Sequence, residues 1–297
     1  MRVHKRSLYV SCICAVVFIF VFTWSLCFLM SSGTGSIMDQ TLDYFLKKGT
    51  ISVRDAADIN WYHAANSKDK IKEAVQGPAQ MIEADVLLRG HDPEEPIMAH
   101  PPQTDSDITL REWLSTVANS DKGIKLDFKS LAALEPSMAL LDEARSQLKG
   151  PVWINADILP GPGGQATPLD VESFLQAVAL RAEGEVFSLG WTTGWFPDTD
   201  NPGYSWEMVQ QMEEVCRPLK QPVTFPVRAA LLHRSFPQLQ WLLQQSERYT
   251  LTVWTGQNDM LNVEDLLLYR QNFSKSRIYY DLLESQVSKF KTLSGYN

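Results

Sequence analysis

The chain has 297 residues, of which 44% are hydrophobic and 21% charged, a balance that excludes a disordered polymer and fits a folded protein. The formal net charge is −8; the basic residues Arg2, Lys5 and Arg6 stand at the N-terminus, whereas all 35 acidic residues lie beyond residue 30. That distribution disfavours nucleic acid as a partner, because phosphate neutralisation needs a basic surface, and it leaves room for a bound cation.

Residues 1–7 read as a short cytoplasmic tail, and Leu8–Met30 (LYVSCICAVVFIFVFTWSLCFLM) as a transmembrane signal-anchor. The run is long enough to span a hydrocarbon core of roughly 30 Å. Its basic flank keeps the N-terminus inside, so the rest is expected to be extracellular or lumenal: a single-pass membrane protein anchored by this helix. The small residues after Met30 leave cleavage as the alternative. Residues 31–50 read as a stalk, with Thr41–Lys48 a short helix leading into a domain over 51–297.

From Asn60 onward, β-type runs recur at Asn60–His63, Met81–Val86, Gly123–Phe128, Val152–Ala156, Val186–Trp191, Val223–Arg228, Thr250–Thr255 and Arg277–Asp281. Between them lie amphipathic helical stretches, such as Leu110–Ala118, with Thr109 as N-cap and Glu112 three residues on. Eight strands alternating with helices point to an α/β fold, a (β/α)8 TIM barrel preceded by one transmembrane helix. A doubly wound sheet is the alternative, but the Gly-rich phosphate turn it usually carries is missing.

Several features have an ordinary and a functional reading. Cys12, Cys14 and Cys27 fall in the anchor, so Cys216, alone in the exported part, is either buried or paired with another chain; burial is expected. Asn272-Phe273-Ser274 is a glycosylation sequon. Gly190–Trp195 (GWTTGW) reads as a ligand platform or as a glycine turn with packed tryptophans. Gly161–Gly164 reads as a mobile or tightly turned loop, and Trp206 and Trp241 as core or helix-to-barrel packing. Neither a catalytic triad nor a zinc-spaced cluster is evident.

In a TIM barrel, chemistry sits at the C-terminal strand ends. Those ends carry His63, Glu83, Asp85, Lys125, Asp127, Lys129, Asn155, Asp157, Trp191, Thr193, Arg228 and Trp254, with His100 on the extended segment after the second strand. Glu83 and Asp85 are two apart and share a strand face, as do Lys125, Asp127 and Lys129. Charges turned toward a barrel axis are costly unless paired or bound to metal. The carboxylates Glu83, Asp85 and Asp127 suit a hard divalent cation, Ca2+ or Mg2+, leaving His63 and His100 for proton transfer. Lys125, Lys129, Asn155, Arg228, Trp191 and Trp254 are the candidate substrate-binding residues. A lone acidic pair in a strand is more often a solvated edge or a salt bridge; convergence of five polar groups raises the functional reading.

On the runs WYHAANS, EADV, MAHPP, KLDFK, WINADILPGP and LGWTTGW, the chain resembles the menorin family of exported proteins over roughly Ile59–Glu284. That family is in turn distantly similar to the glycerophosphodiester phosphodiesterases, which are TIM barrels. The resemblance implies that His63 and His100 act as acid and base on a phosphodiester, that Glu83, Asp85 and Asp127 hold Ca2+ or Mg2+, and that Lys129 and Trp254-Thr255 fill further motif positions. The departures are Ala64 where that superfamily has a phosphate-binding Arg, Pro101 after His100 where it has Asp, and Asp127 where it has Glu. The menorin resemblance also implies an extracellular protein that works through partners. Three readings follow: a ligand- or partner-binding barrel with a cation site, a metal-dependent phosphodiesterase or lyase, and a metal-free pseudoenzyme.

Overall fold

The computed structural model describes residues 39–179 and 184–295. The expected anchor, with Cys12, Cys14 and Cys27, and the first part of the expected stalk lie outside the described residues. Among the described residues, no helix is long and apolar enough to cross a membrane.

The strands are β1 (Trp61–Tyr62), β2 (Met81–Leu88), β3 (Pro96–Met98), β4 (Gly123–Phe128), β5 (Val152–Pro160), β6 (Val186–Thr192), β7 (Val223–Arg228), β8 (Tyr249–Trp254) and β9 (Ile278–Asp281). Eight of them pair in parallel in the order β1-β2-β4-β5-β6-β7-β8-β9, and β3 pairs antiparallel with β2. This is a near-closed, TIM-like α/β barrel. Among the described residues no ladder joins β9 to β1, which leaves a seam.

The helices are α1 (Thr41–Lys48), α2 (Lys68–Gln76), α3 (Leu110–Ala118), α4 (Leu134–Ala144), α5 (Val171–Ala179), α6 (Trp206–Cys216), α7 (Phe236–Gln244), α8 (Asp265–Asn272) and α9 (Glu284–Leu293). In α3, Leu110, Trp113, Leu114 and Val117 are buried at i, i+3, i+4 and i+7 spacing, a stripe that packs on the sheet. Thr109 and Glu112 close a capping box at its start, as the sequence predicts.

The strands explain the sorting of residues. Ile82, Ala84 and Val86 of β2 alternate with Glu83 and Asp85, and the apolar set joins the core shared with the helices. The same alternation in β4 puts Ile124, Leu126 and Phe128 into that core and leaves Lys125 and Asp127 for the barrel interior.

A second core fills the N-terminal end of the barrel, where Leu42 and Phe45 of α1 pack with Met81, Trp153, Val186 and Tyr279. Trp153 donates to Thr41 Oγ1 at 3.0 Å and Tyr279 OH to Asp39 at 2.5 Å. The domain therefore begins by Asp39, and the expected boundary at residue 50 is too late: α1 is a plug, tied by burial and hydrogen bonds, and not part of a stalk. Trp206 is also corrected. It stands 46% exposed at the first turn of α6, edge-on to Trp241, and does not pack into the core. Cys216 is buried on α6, as expected, and burial pushes its thiol well above the ordinary range.

Candidate functional site

The strand register builds the site. Glu83 lies beside Lys125, Asp85 beside Asp127, Asp127 beside Asn155 and Asn155 beside Ser188. Because neighbouring parallel strands keep paired residues level, Glu83 and Lys125 form one row, and Asp85, Asp127, Asn155 and Ser188 form a second row two residues nearer the C-terminal mouth. Asn155 donates to Asp127 Oδ1 at 2.7 Å and accepts from Ser188 Oγ at 2.5 Å. Each carboxylate is likewise held: Asn66 Nδ2 donates to Asp85 Oδ2 at 2.7 Å, and the Ala64 N–H donates to Glu83 Oε2 at 2.7 Å. Ala64 reaches that carboxylate with φ at 54°, a left-handed conformation disfavoured for a residue with a Cβ.

One ligand oxygen from each of Glu83, Asp85 and Asp127 lies within 4.8 Å of the others. That convergence suits a hard cation, whose oxygen ligands stand at 2.0–2.6 Å. Lys129 Nζ is nearby, 2.6 Å from Asp127 Oδ2 and 3.3 Å from Asp85 Oδ1. A carboxylate offers about four lone-pair directions, so these contacts leave acceptor capacity on both aspartates. The donor set therefore fits a divalent cation.

His63 joins the two sides of the seam. Its Nδ1 is 2.9 Å from Asp281 Oδ2 and 3.6 Å from Glu83 Oε2. The Glu83 and Asp281 carboxylates push its pKa up to about 10 against the opposing effect of burial, so the metal-free imidazole is protonated at neutral pH. Burial, then the neighbouring Asp85, raises Glu83; burial, then Asp127, raises Asp157. Burial also works against ionisation of Asp127, but the Lys129 and Lys125 ammoniums outweigh it and hold that carboxyl below its usual range.

The mouth opens as a cavity of about 800 Å³, within the range of small-molecule sites. His63, His100, Asp85, Lys125, Asp127, Lys129, Asn155 and Trp254 all line it. His100 is exposed, with Nδ1 2.7 Å from its neighbour Pro101 O. Lys125, only 4% exposed, lies under the Trp61 ring system at 6.0 Å.

Two expected ligand-binding residues are placed elsewhere. Trp191 is 2% exposed and packs against Tyr204 and Phe225, so it is core and no platform. Arg228 does not line the cavity: Asp259 takes its Nε and Nη2 at 2.7 and 2.6 Å, Thr193 O takes its Nη1, and its plane lies over Trp254. Its charge is therefore already spent. Gly161–Gly164 is the tight turn of the two expected alternatives: Gly163 has φ of 67°, and a Cβ there would meet Gly194 O at 2.6 Å. Asn272 is exposed at the end of α8, its amide donating to Leu268 O.

Asp281 and Asn66 were not singled out from the sequence. Asp281 carried a usable signal, since it ends a strand as Asp85 and Asp127 nearly do. Asn66 lies in the loop after β1, where spacing gives no direction. Asp157 was noted at its strand end but not assigned to the site; its carboxyl faces the mouth opposite Gly190, where a Cβ would come within 2.5 Å of Asp157 Oδ1.

The solved structures that the chain resembles include a dihydropteroate synthetase (10% identity, TM-score 0.43, covering 80% of this chain and 93% of that one) and S. officinalis PLC21 (15%, TM-score 0.34, covering 74% and 28%). The fold assignment rests on strand pairing and not on these distant likenesses. Protein FAM151B of Homo sapiens is 55% identical over 267 residues, covering 89% of this chain and 97% of that protein. The family model described as the Menorin N-terminal domain matches residues 55–287. The chain belongs to the menorin family.

Proposed function

We propose that the barrel mouth is a divalent-cation site acting on a phosphodiester, in a protein held at a membrane by Leu8–Met30 with its barrel on the extracellular or lumenal side. The observation that carries the reading is the convergence of Glu83, Asp85 and Asp127 oxygens, with Asp85 and Asp127 lining the same cavity as His63. Glu83, Asp85 and Asp127 would hold Ca2+ or Mg2+. Such a cation supplies Lewis-acid charge to a phosphoryl oxygen and offsets the negative charge of the diester. His63 carries the proton a leaving alkoxide requires, and Asp281 orients it through Nδ1. His100, at the rim, would take the proton of an attacking water as its oxygen forms the new P–O bond and the P–O bond to the alkoxide breaks. Lys125 and Lys129 line the cavity and offer N–H donors to an anionic ligand. The exposed Asn272 sequon suits an exported surface that carries a glycan.

A second reading is ligand or partner binding through the same cation site without turnover. Lys129 favours it, because its ammonium already bridges Asp85 and Asp127, and so does Ala64 at the position of the superfamily's phosphate-binding Arg. The test is a panel of phosphodiesters, glycerophosphodiesters included, incubated with the full chain and added Ca2+ or Mg2+. The phosphodiesterase reading expects product release that chelation stops and that disappears in both His63→Ala and His100→Ala. Metal binding without product on any diester would replace it with the second reading. Neither binding nor turnover would leave a metal-free pseudoenzyme.

A further inference from the structure

The seam between β1 and β9 holds a second cavity, distinct from the mouth. Among the described residues every other junction of the eight parallel strands is closed by a ladder. At the seam, closure depends on side chains: His63 to Asp281 at the mouth end, and Lys291 Nζ to Asn60 Oδ1 at 3.2 Å further down. The space left is about 400 Å³, a size that fits small ligands.

Its lining has a definite polarity. Tyr62 and Tyr280 come from the two seam strands, Leu282 follows β9, and Val287 and Phe290 come from α9. Tyr280 and Phe290 form a joined aromatic wall, with ring centroids 4.4 Å apart. Helix α9 buries only Phe290 fully, so its inner stripe stays partly uncovered. Among the described residues Lys291 is the one basic residue of the lining. An ammonium has three N–H donors, and the bond to Asn60 uses one. Of the two acidic lining residues, Glu73 is exposed and accepts from Tyr62 OH at 2.9 Å, while Glu284 is exposed at the opposite end of the α9 stripe. Glu284 and Lys291 bound about 10 Å of helix, close to the extended length of an eight-carbon chain.

We infer that the seam cavity is a binding site for a medium-chain carboxylic acid, with its carboxylate on Lys291 and its chain along Val287, Phe290 and Tyr280. The site is independent of the reading given to the mouth, but it touches it. Tyr62 precedes His63, Tyr280 precedes Asp281, and Leu282 lines both cavities. A chain seated in the seam would fix the spacing of β1 and β9, and with it the His63–Asp281 contact.

The probe is sodium octanoate, titrated calorimetrically into the full chain in lipid nanodiscs, with empty nanodiscs as blank. Saturable binding is expected with Kd of about 1 mM or tighter, and octan-1-ol is expected to bind about tenfold more weakly. Val287→Trp, which fills the cavity, should abolish binding, and Lys291→Gln should weaken it about tenfold. Lys291 is a partly exposed helix residue, so its variant decides the matter even if Val287→Trp fails to fold. Absence of saturable heat overturns the proposal, as does unchanged binding in Lys291→Gln.

Discussion

Individual residues at the mouth are held in place by partners from other strands, and that support has measurable consequences. Ser188 is completely buried and donates to Asn155 Oδ1, which frees the Asn155 amide to donate to Asp127. Ser188→Ala leaves that buried acceptor without its donor, at a cost of about 1–3 kcal/mol. Urea unfolding should show the loss, with a lower midpoint and an unchanged slope; a midpoint equal to the parent's would mean that the bond contributes nothing. His63 gives a pH signature. In the presence of chelator its folded pKa is pushed up to about 10, above the ordinary 6.5. A raised pKa means that the stabilisation is fully present below about pH 6.5 and is lost as pH rises through about 10. Imidazole resonances followed by NMR should titrate near pH 10 in the metal-free parent and lower in Asp281→Asn; a parent midpoint near 6.5 would contradict the pairing. Glu83, Asp85 and Asp127 were legible in the sequence because strand periodicity alone sets their direction. Arg228 and Trp191 were not, because what decides their roles (Asp259 for one, Tyr204 and Phe225 for the other) comes from loops and strands distant in sequence.

At the scale of elements, strong local signals were read correctly and tertiary ones were missed. The span Leu110–Ala118 and its capping box follow from apolar spacing and the Thr109/Glu112 pair, both visible in one short window. Strand β3 was seen only as an extended segment, because its three residues are recognisable as a strand only through their antiparallel pairing with β2. Trp206 was expected, from its helical pattern, to pack in the core or between helix and barrel, but it stands 46% exposed at the first turn of α6. Packing between β5 and β6 gives a sharper test. A Cβ on Gly190 would lie 2.5 Å from Asp157 Oδ1 and 2.8 Å from Pro226 Cγ, atoms of neighbouring strands with little room to yield. Gly190→Ala should therefore destabilise the fold by about 1–3 kcal/mol, the usual cost of overpacking. A thermal midpoint unchanged from the parent would show that the strands give way more easily than this packing implies.

Across the whole molecule, one barrel serves two ends differently. The N-terminal end is sealed by α1 and a layer of aromatic and aliphatic side chains, while the C-terminal end gathers charge around an open cavity. The eight-strand count was readable because β-type runs and amphipathic stretches alternate over the entire domain. The plug was not, because a short helix preceding the first strand gives no sign in sequence of what it covers. The seam was equally hidden, since an incomplete ladder depends on how far β1 and β9 extend beside each other. What joins these features is the acidic cluster, in which Glu83, Asp85 and Asp127 together are proposed to hold one divalent cation. The most direct test is the thermal midpoint of the full chain with and without millimolar Ca2+ or Mg2+, in the parent and in Glu83→Gln. A ligand at about 100 times its Kd adds about 2.7 kcal/mol to the folded state. The account expects a clear upward shift in the parent that is lost in Glu83→Gln; no shift in the parent, or the same shift in both proteins, would contradict it.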